Sequence, residues 1–194
     1  MYRALGILCL CLIFLSGCFL RKKSIENPGV EKLPSLGVTL RLPDNFQALP
    51  QEQLSNMGML GATVLEVEPF NVIPQYAYAE QSGKGIMVVS ELQFRQGIDP
   101  EKYPLDNLFM YQKNLGAFLG SDEITSQEIS SANVTTVLMI MMLDEGGEDI
   151  ALLKGLSFVY PNRFFMIDLY AVVDRNTVND GSDYANTFYS LDIY

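Results

Sequence analysis

The chain has 194 residues, 48% of them apolar and 19% charged, a composition that fits one globular domain with a sizeable core and argues against a second. Its formal net charge of -10 repels phosphate backbones and sets it against nucleic acid as a partner. It contains no histidine, which removes imidazole-activated nucleophiles and the common zinc sites, and no tryptophan.

At the N-terminus, Met1-Tyr2-Arg3 gives a short positive start, and Ala4 to Phe14 is an apolar run of the length of a signal-peptide core. Leu15-Ser16-Gly17-Cys18 follows directly. An aliphatic residue, two small residues and a cysteine in that order resemble the lipobox of bacterial lipoproteins. The resemblance implies cleavage between Gly17 and Cys18, a diacylglycerol on the Cys18 thiol and a further acyl chain, such as palmitate, on its freed amine. At about 0.8 kcal/mol per buried methylene, two or three such chains hold a protein on a membrane essentially permanently. In that family an aspartate after the cysteine marks retention at the inner membrane. This chain has Phe19 there, so the expected location is the cell envelope, at the outer membrane facing the periplasm.

The alternative is an uncleaved membrane helix from Ala4 to Leu20, of the minimum length that spans. Arg21, Lys22 and Lys23 outnumber Arg3, and that bias would keep the body in the cytoplasm as a membrane-tethered adaptor. Under the lipoprotein reading, the same three cations form a solvated tether or meet anionic headgroups. All three cysteines, Cys9, Cys11 and Cys18, precede the body, which must therefore hold without disulfides.

Three segments follow from this reading: a signal peptide over 1–17, a lipidated cysteine and flexible tether over 18–35, and a single domain over 36–194. The tether contains Pro28-Gly29 and Pro34 and shows no sustained periodicity. In the body, Val38, Leu40 and Leu42 alternate with polar residues as in a half-buried strand, which Pro43-Asp44-Asn45 stops. Residues 62–68 and 86–94 repeat the habit. A shorter strand is expected over Val72 to Ala79, weakened by Pro74. Asp99-Pro100-Glu101 reads as a helix start, and Leu105, Leu108, Phe109, Leu115, Phe118 and Leu119 continue it at helical spacing to Gly120.

Three long strands are predicted near 133–143, 150–160 and 163–173, the first so apolar that both its faces should be covered. Gly146-Gly147 supplies a tight hairpin turn, and Tyr160-Pro-Asn-Arg163 the next. A short helix over Ser182 to Phe188 and an extended tail complete the chain. The fold class is α+β: a mainly antiparallel sheet with one long helix and a short C-terminal helix packed on it. Gly37-Val-Thr-Leu-Arg-Leu-Pro43-Asp-Asn-Phe46 resembles the opening strand of PsbP-like domains, and Phe188-Tyr189-Ser190-Leu191 is similar to that family's closing helix. The resemblance implies a sandwich fold and a binding or assembly role, and it assigns no functional residues.

The residues that could carry chemistry are acidic. Asp144, Glu145, Glu148 and Asp149 surround the glycine turn and could hold a hard cation, although the spacing is not that of an EF-hand, and a solvated hairpin tip explains them more simply. Asp99, Glu101, Asp122 and Glu123 flank the long helix as caps and end charges, or as paired carboxylates. Met139 and Met141 share a strand face with apolar neighbours and read as core. No catalytic residue, metal or cofactor is assigned. The expected role is a lipid-anchored, non-catalytic binding or assembly module with an envelope protein as partner. The alternative enzyme is a lipid-anchored hydrolase of envelope polysaccharide working through two carboxylates.

Overall fold

The apolar runs of the second half of the chain become long antiparallel strands, because each can hydrogen-bond its neighbour while burying both faces. In a computed structural model of the protein, the structure describes residues 29–54, 70–99, 123–131, 133–145, 148–159, 163–173 and 182–194. They form β1 (Val30–Leu33), β2 (Val38–Arg41), β3 (Phe46–Ala48), β4 (Phe70–Glu80), β5 (Gly85–Phe94), β6 (Glu123–Ser130), β7 (Val134–Glu145), β8 (Glu148–Val159), β9 (Arg163–Val173), α1 (Ser182–Tyr189) and β10 (Asp192–Ile193). Seven strands make one antiparallel sheet in the order β3-β4-β5-β9-β8-β7-β6, and β1-β2-β10 make a second of three.

The small sheet and α1 cover one face of the large sheet. Leu33, Val38 and Leu40 from the small sheet and Leu36 from its turn share one core cluster with Tyr78, Met87, Val89, Leu138, Leu153, Phe165, Ile167 and Leu169 from the large sheet and with Phe188 of α1 and Leu191. Gly155 makes the approach of α1 possible, since a Cβ there would stand 2.5 Å from the Phe188 ring. On the opposite face, Phe70, Leu92, Leu156, Phe164 and Met166 form one cluster, and Met139, Met141 and Leu152 another. The methionines are core, as their strand position implied.

Several expectations are met closely and others are corrected. Strands β7, β8 and β9 and the C-terminal helix fall where the sequence placed them, and from Val134 to Met142 the residues of β7 are buried or half-buried on both faces. The register pairs Glu145 with Glu148, which leaves positions 146 and 147 as the connection. Strand β7 is nevertheless next to the edge, and β9 holds the middle.

Strand structure begins before position 35, inside the span expected to be tether. Residues 30–33 pair with β2, and the turn after them is fixed by bonds from the Leu36 and Gly37 amides to the Leu33 carbonyl, with Gly37 at φ 67°. Four residues are too few to show a periodicity, so this strand is specified by its partner. Strand β4 is longer than expected, running 11 residues through Pro74. Its ladder to β5 shifts register between Pro74 and Tyr76, while β3 pairs only with Tyr78 to Glu80 on the other side. Proline therefore sits at a bulge beside an unpaired edge, where its missing amide costs little.

The tail expected to be merely extended adds β10 to β2, and the polar strand β6 was not foreseen. The strand expected over 62–68 and the long helix expected after Asp99 lie outside the described residues. Helix within them is short, namely α1 of 8 residues and a single turn at 51–54. Among the described residues no helix is long and apolar enough to cross a membrane.

Candidate functional site

Gly17 and Cys18 precede the described residues, which begin at Gly29. The four carboxylate positions of the glycine hairpin are placed by the ladder. Asp144 stands opposite Asp149 and Glu145 opposite Glu148. Paired positions of an antiparallel ladder share a face and successive ones alternate, so 144 and 149 lie on one side of the hairpin and 145 and 148 on the other. The ladder thus pairs the four positions two and two. Among the described residues no three carboxylate, thiol or imidazole groups gather where they could hold a metal ion.

Glu101 and Asp122 lie outside the described residues. Asp99 and Glu123 are far apart. Glu123 pairs with Met142, and through β8 and β9 stands level with the start of β5 and four strands from it. Asp99 follows the far end of β5. That strand is roughly 30 Å long at 3.3 Å per residue, and four strand spacings add a lateral offset of about 19 Å. Even a loop doubling back leaves on the order of 20 Å between the two positions, beyond the roughly 10 Å within which two carboxylates cooperate.

The most unusual chemistry in the fold was not anticipated from the sequence. Lys154 on β8 donates to the Asp168 carboxylate on β9 at 2.5 Å, with side-chain exposures of 2% and 7%. The two are cross-strand partners, and Met139 faces Lys154 from the other side. On the same face lie Leu152, Leu156, Met166 and Tyr170. A lysine or aspartate alone in such surroundings would be strongly penalised, and each cancels the charge of the other. The signal was present in the sequence. One cation interrupts the apolar run of β8, one anion interrupts that of β9, and the turn expected at 160–163 fixes the register that sets them opposite. So enclosed, the pair can align β8 on β9 but offers no open approach to a substrate.

A different polar contact ties the β1–β2 turn to the large sheet. The Tyr76 hydroxyl accepts from the Ser35 amide at 3.1 Å and lies 2.9 Å from its hydroxyl oxygen. Beside it, Tyr78 is buried to 1% exposure, and burial first, then the charge of Glu31 and the neighbouring Tyr76, raise its phenol well above the ordinary value near 10. Arg163 reinforces the same seam by donating to the Leu36 carbonyl at 2.5 Å.

The outward face of the small sheet is different in character. Register and alternation put Val30, Lys32, Thr39, Arg41, Asp192 and Tyr194 on it, and the Lys32 ammonium lies 4.9 Å from the centre of the Tyr194 ring. Among the described residues the exposed large apolar side chains are Val30 at 63%, Tyr189 at 54%, Ile193 at 38% and Tyr194 at 58%. Three of these four belong to the small sheet or the residue that ends it.

No protein-family model matches the chain, and no curated protein matches it in sequence. Among solved structures it is similar to LpqN of Mycobacterium tuberculosis, described as involved in cell envelope biogenesis. The identity is 11% and the TM-score 0.46, over 80% of this chain and 82% of that one. It is also similar to the cyanobacterial PsbP, CyanoP, of Synechocystis sp. PCC 6803, at 8% identity and a TM-score of 0.38, over 91% of this chain and 99% of that one. At these identities neither likeness carries a residue or a role over to this chain.

Proposed function

We propose that the protein is a lipid-anchored, non-catalytic binding or assembly module of the bacterial cell envelope, held by acyl chains on Cys18. The observation that carries this reading is the complete Leu15-Ser16-Gly17-Cys18 box directly after an apolar run of signal-peptide length. The fold is compatible with such an anchor, because strand pairing begins at Val30 and leaves a connecting segment between it and Cys18. Phe19 after the cysteine favours the outer membrane, with the body in the periplasm.

A non-catalytic role is supported by the lack of histidine in the whole chain and by the separation of Asp99 from Glu123. The buried Lys154–Asp168 pair is accounted for by strand alignment. The partner class this reading implies is an envelope protein, alongside the membrane itself.

Mass spectrometry of the mature N-terminus is the direct test. The expected result is a chain beginning at Cys18 with diacylglycerol on sulfur, and a Cys18→Ser variant that keeps residues 1–17 and takes up no labelled palmitate. A native chain beginning at Met1 with an unmodified sulfur overturns the proposal.

A further inference from the structure

We infer that the outward face of the small sheet, bearing Val30, Lys32, Arg41 and Tyr194, seats on an anionic phospholipid surface. This rests on the lipid anchor proposed above and goes further, since an anchor alone leaves the body free to tumble. The occupant is identified by where the chain leaves the sheet. From Cys18 to Val30 is twelve residue steps, at most about 40 Å fully extended and roughly 20 Å as a flexible coil. Whatever membrane carries Cys18 is therefore within reach of β1, and β1 is an outer strand of this sheet.

The chemistry of the face fits a headgroup layer. Val30 and Tyr194 are exposed apolar and amphipathic groups of the kind that settle at an interface, and Lys32 and Arg41 stand among them against one acid, Asp192. Arg21, Lys22 and Lys23 in the connecting segment add three cations close to the same surface. The net charge of -10 belongs to the whole chain, whereas on this face two cations stand against one acid, and Glu31, the acid next to them in β1, alternates to the inward side.

The chain lacks tryptophan, so one substitution creates a unique reporter. The acylated full-length protein carrying Tyr194→Trp is placed in vesicles of phosphatidylglycerol and brominated phosphatidylcholine, and Tyr189→Trp on α1 serves as the comparison. The expected result is at least two-fold quenching of Tyr194→Trp and little of Tyr189→Trp. Adding Lys32→Gln and Arg41→Gln should bring the first toward the second, since losing about five-fold per basic residue weakens seating on the order of 25-fold for two. Equal quenching at both positions, or none at either, in protein whose Cys18 is shown to be acylated overturns the seating and leaves the anchor standing. A Tyr194→Trp emission already blue-shifted without vesicles and dependent on protein concentration assigns the face to a second copy and overturns it as well. An unacylated protein that does not bind vesicles removes the anchor, and the seating with it.

Discussion

The Lys154–Asp168 pair makes a sharp prediction about stability. Replacing Lys154 with Met keeps most of the side-chain volume but leaves the Asp168 carboxylate, 7% exposed, with its cation gone. Breaking a buried pair from one side costs about 3–5 kcal/mol, a large part of the roughly 5–15 kcal/mol that holds a domain together. For a domain of this size that corresponds to a fall in Tm of roughly 6–20 °C. Converting both residues, in Lys154→Met with Asp168→Leu, removes both charges and puts apolar groups among Met139, Leu152, Leu156 and Met166. The double variant should therefore return to within about 1 kcal/mol of the parent or exceed it. Urea unfolding of the parent, both single variants and the double variant closes the cycle and gives the coupling directly. If Lys154→Met unfolds at the parent's midpoint, or the double variant loses as much as the two singles together, the pair is not an isolated buried unit.

Other outcomes follow from the same structure. Gly155→Ala should cost about 1–3 kcal/mol, because the new methyl meets the Phe188 ring, and Phe188→Leu in the same chain should recover part of the loss on thermal melting. Thr136 and Ser157 are 2.8 Å apart and buried at 1% and 0% exposure. Thr136→Val should therefore cost about 1–3 kcal/mol by orphaning the serine hydroxyl, and adding Ser157→Ala should restore some of it in urea titrations. Tyr78 contributes a pH dependence of known sign. Its phenol holds its proton more tightly folded than unfolded, so the stabilisation is complete below about pH 10 and is lost as the pH rises further. Unfolding midpoints between about pH 9 and 11.5 should fall steeply for the parent and more gently for Tyr78→Phe.

What was legible in the sequence is what depends on neighbouring residues. The runs of β7, β8 and β9 are long enough, and their turns marked clearly enough, for apolar patterning to locate them to within two residues. Strand β6, with the sequence Glu-Ile-Thr-Ser-Gln-Glu-Ile-Ser, has too few apolar residues to show alternation, and it is a strand because β7 offers it an edge. Strand β1 is only four residues long and is specified by its hairpin with β2, while β10 exists through pairing with a strand about 150 residues earlier, a relation that no local window contains. Pro74 misled for a definable reason: proline argues against a strand only where both edges are paired, and at position 74 one edge is open. Lys154 and Asp168 needed the register as well as the sequence, because each looks like an ordinary surface charge until the strands are aligned.

The position of β10 bears on the order in which the molecule can assemble. Strand β2, at residues 38–41, is flanked on one side by β1 and on the other by residues 192–193. A chain made from its N-terminus therefore completes β2 more than a hundred residues before that strand's second neighbour exists. Closure across so long a stretch is entropically slow, so pairing of residues 192–193 with β2 is expected to follow formation of the large sheet, an order that hydrogen exchange during refolding would check. Trimming even the final three residues, or extending the C-terminus with a bulky tag, should leave a body that folds its large sheet yet holds its first strands loosely.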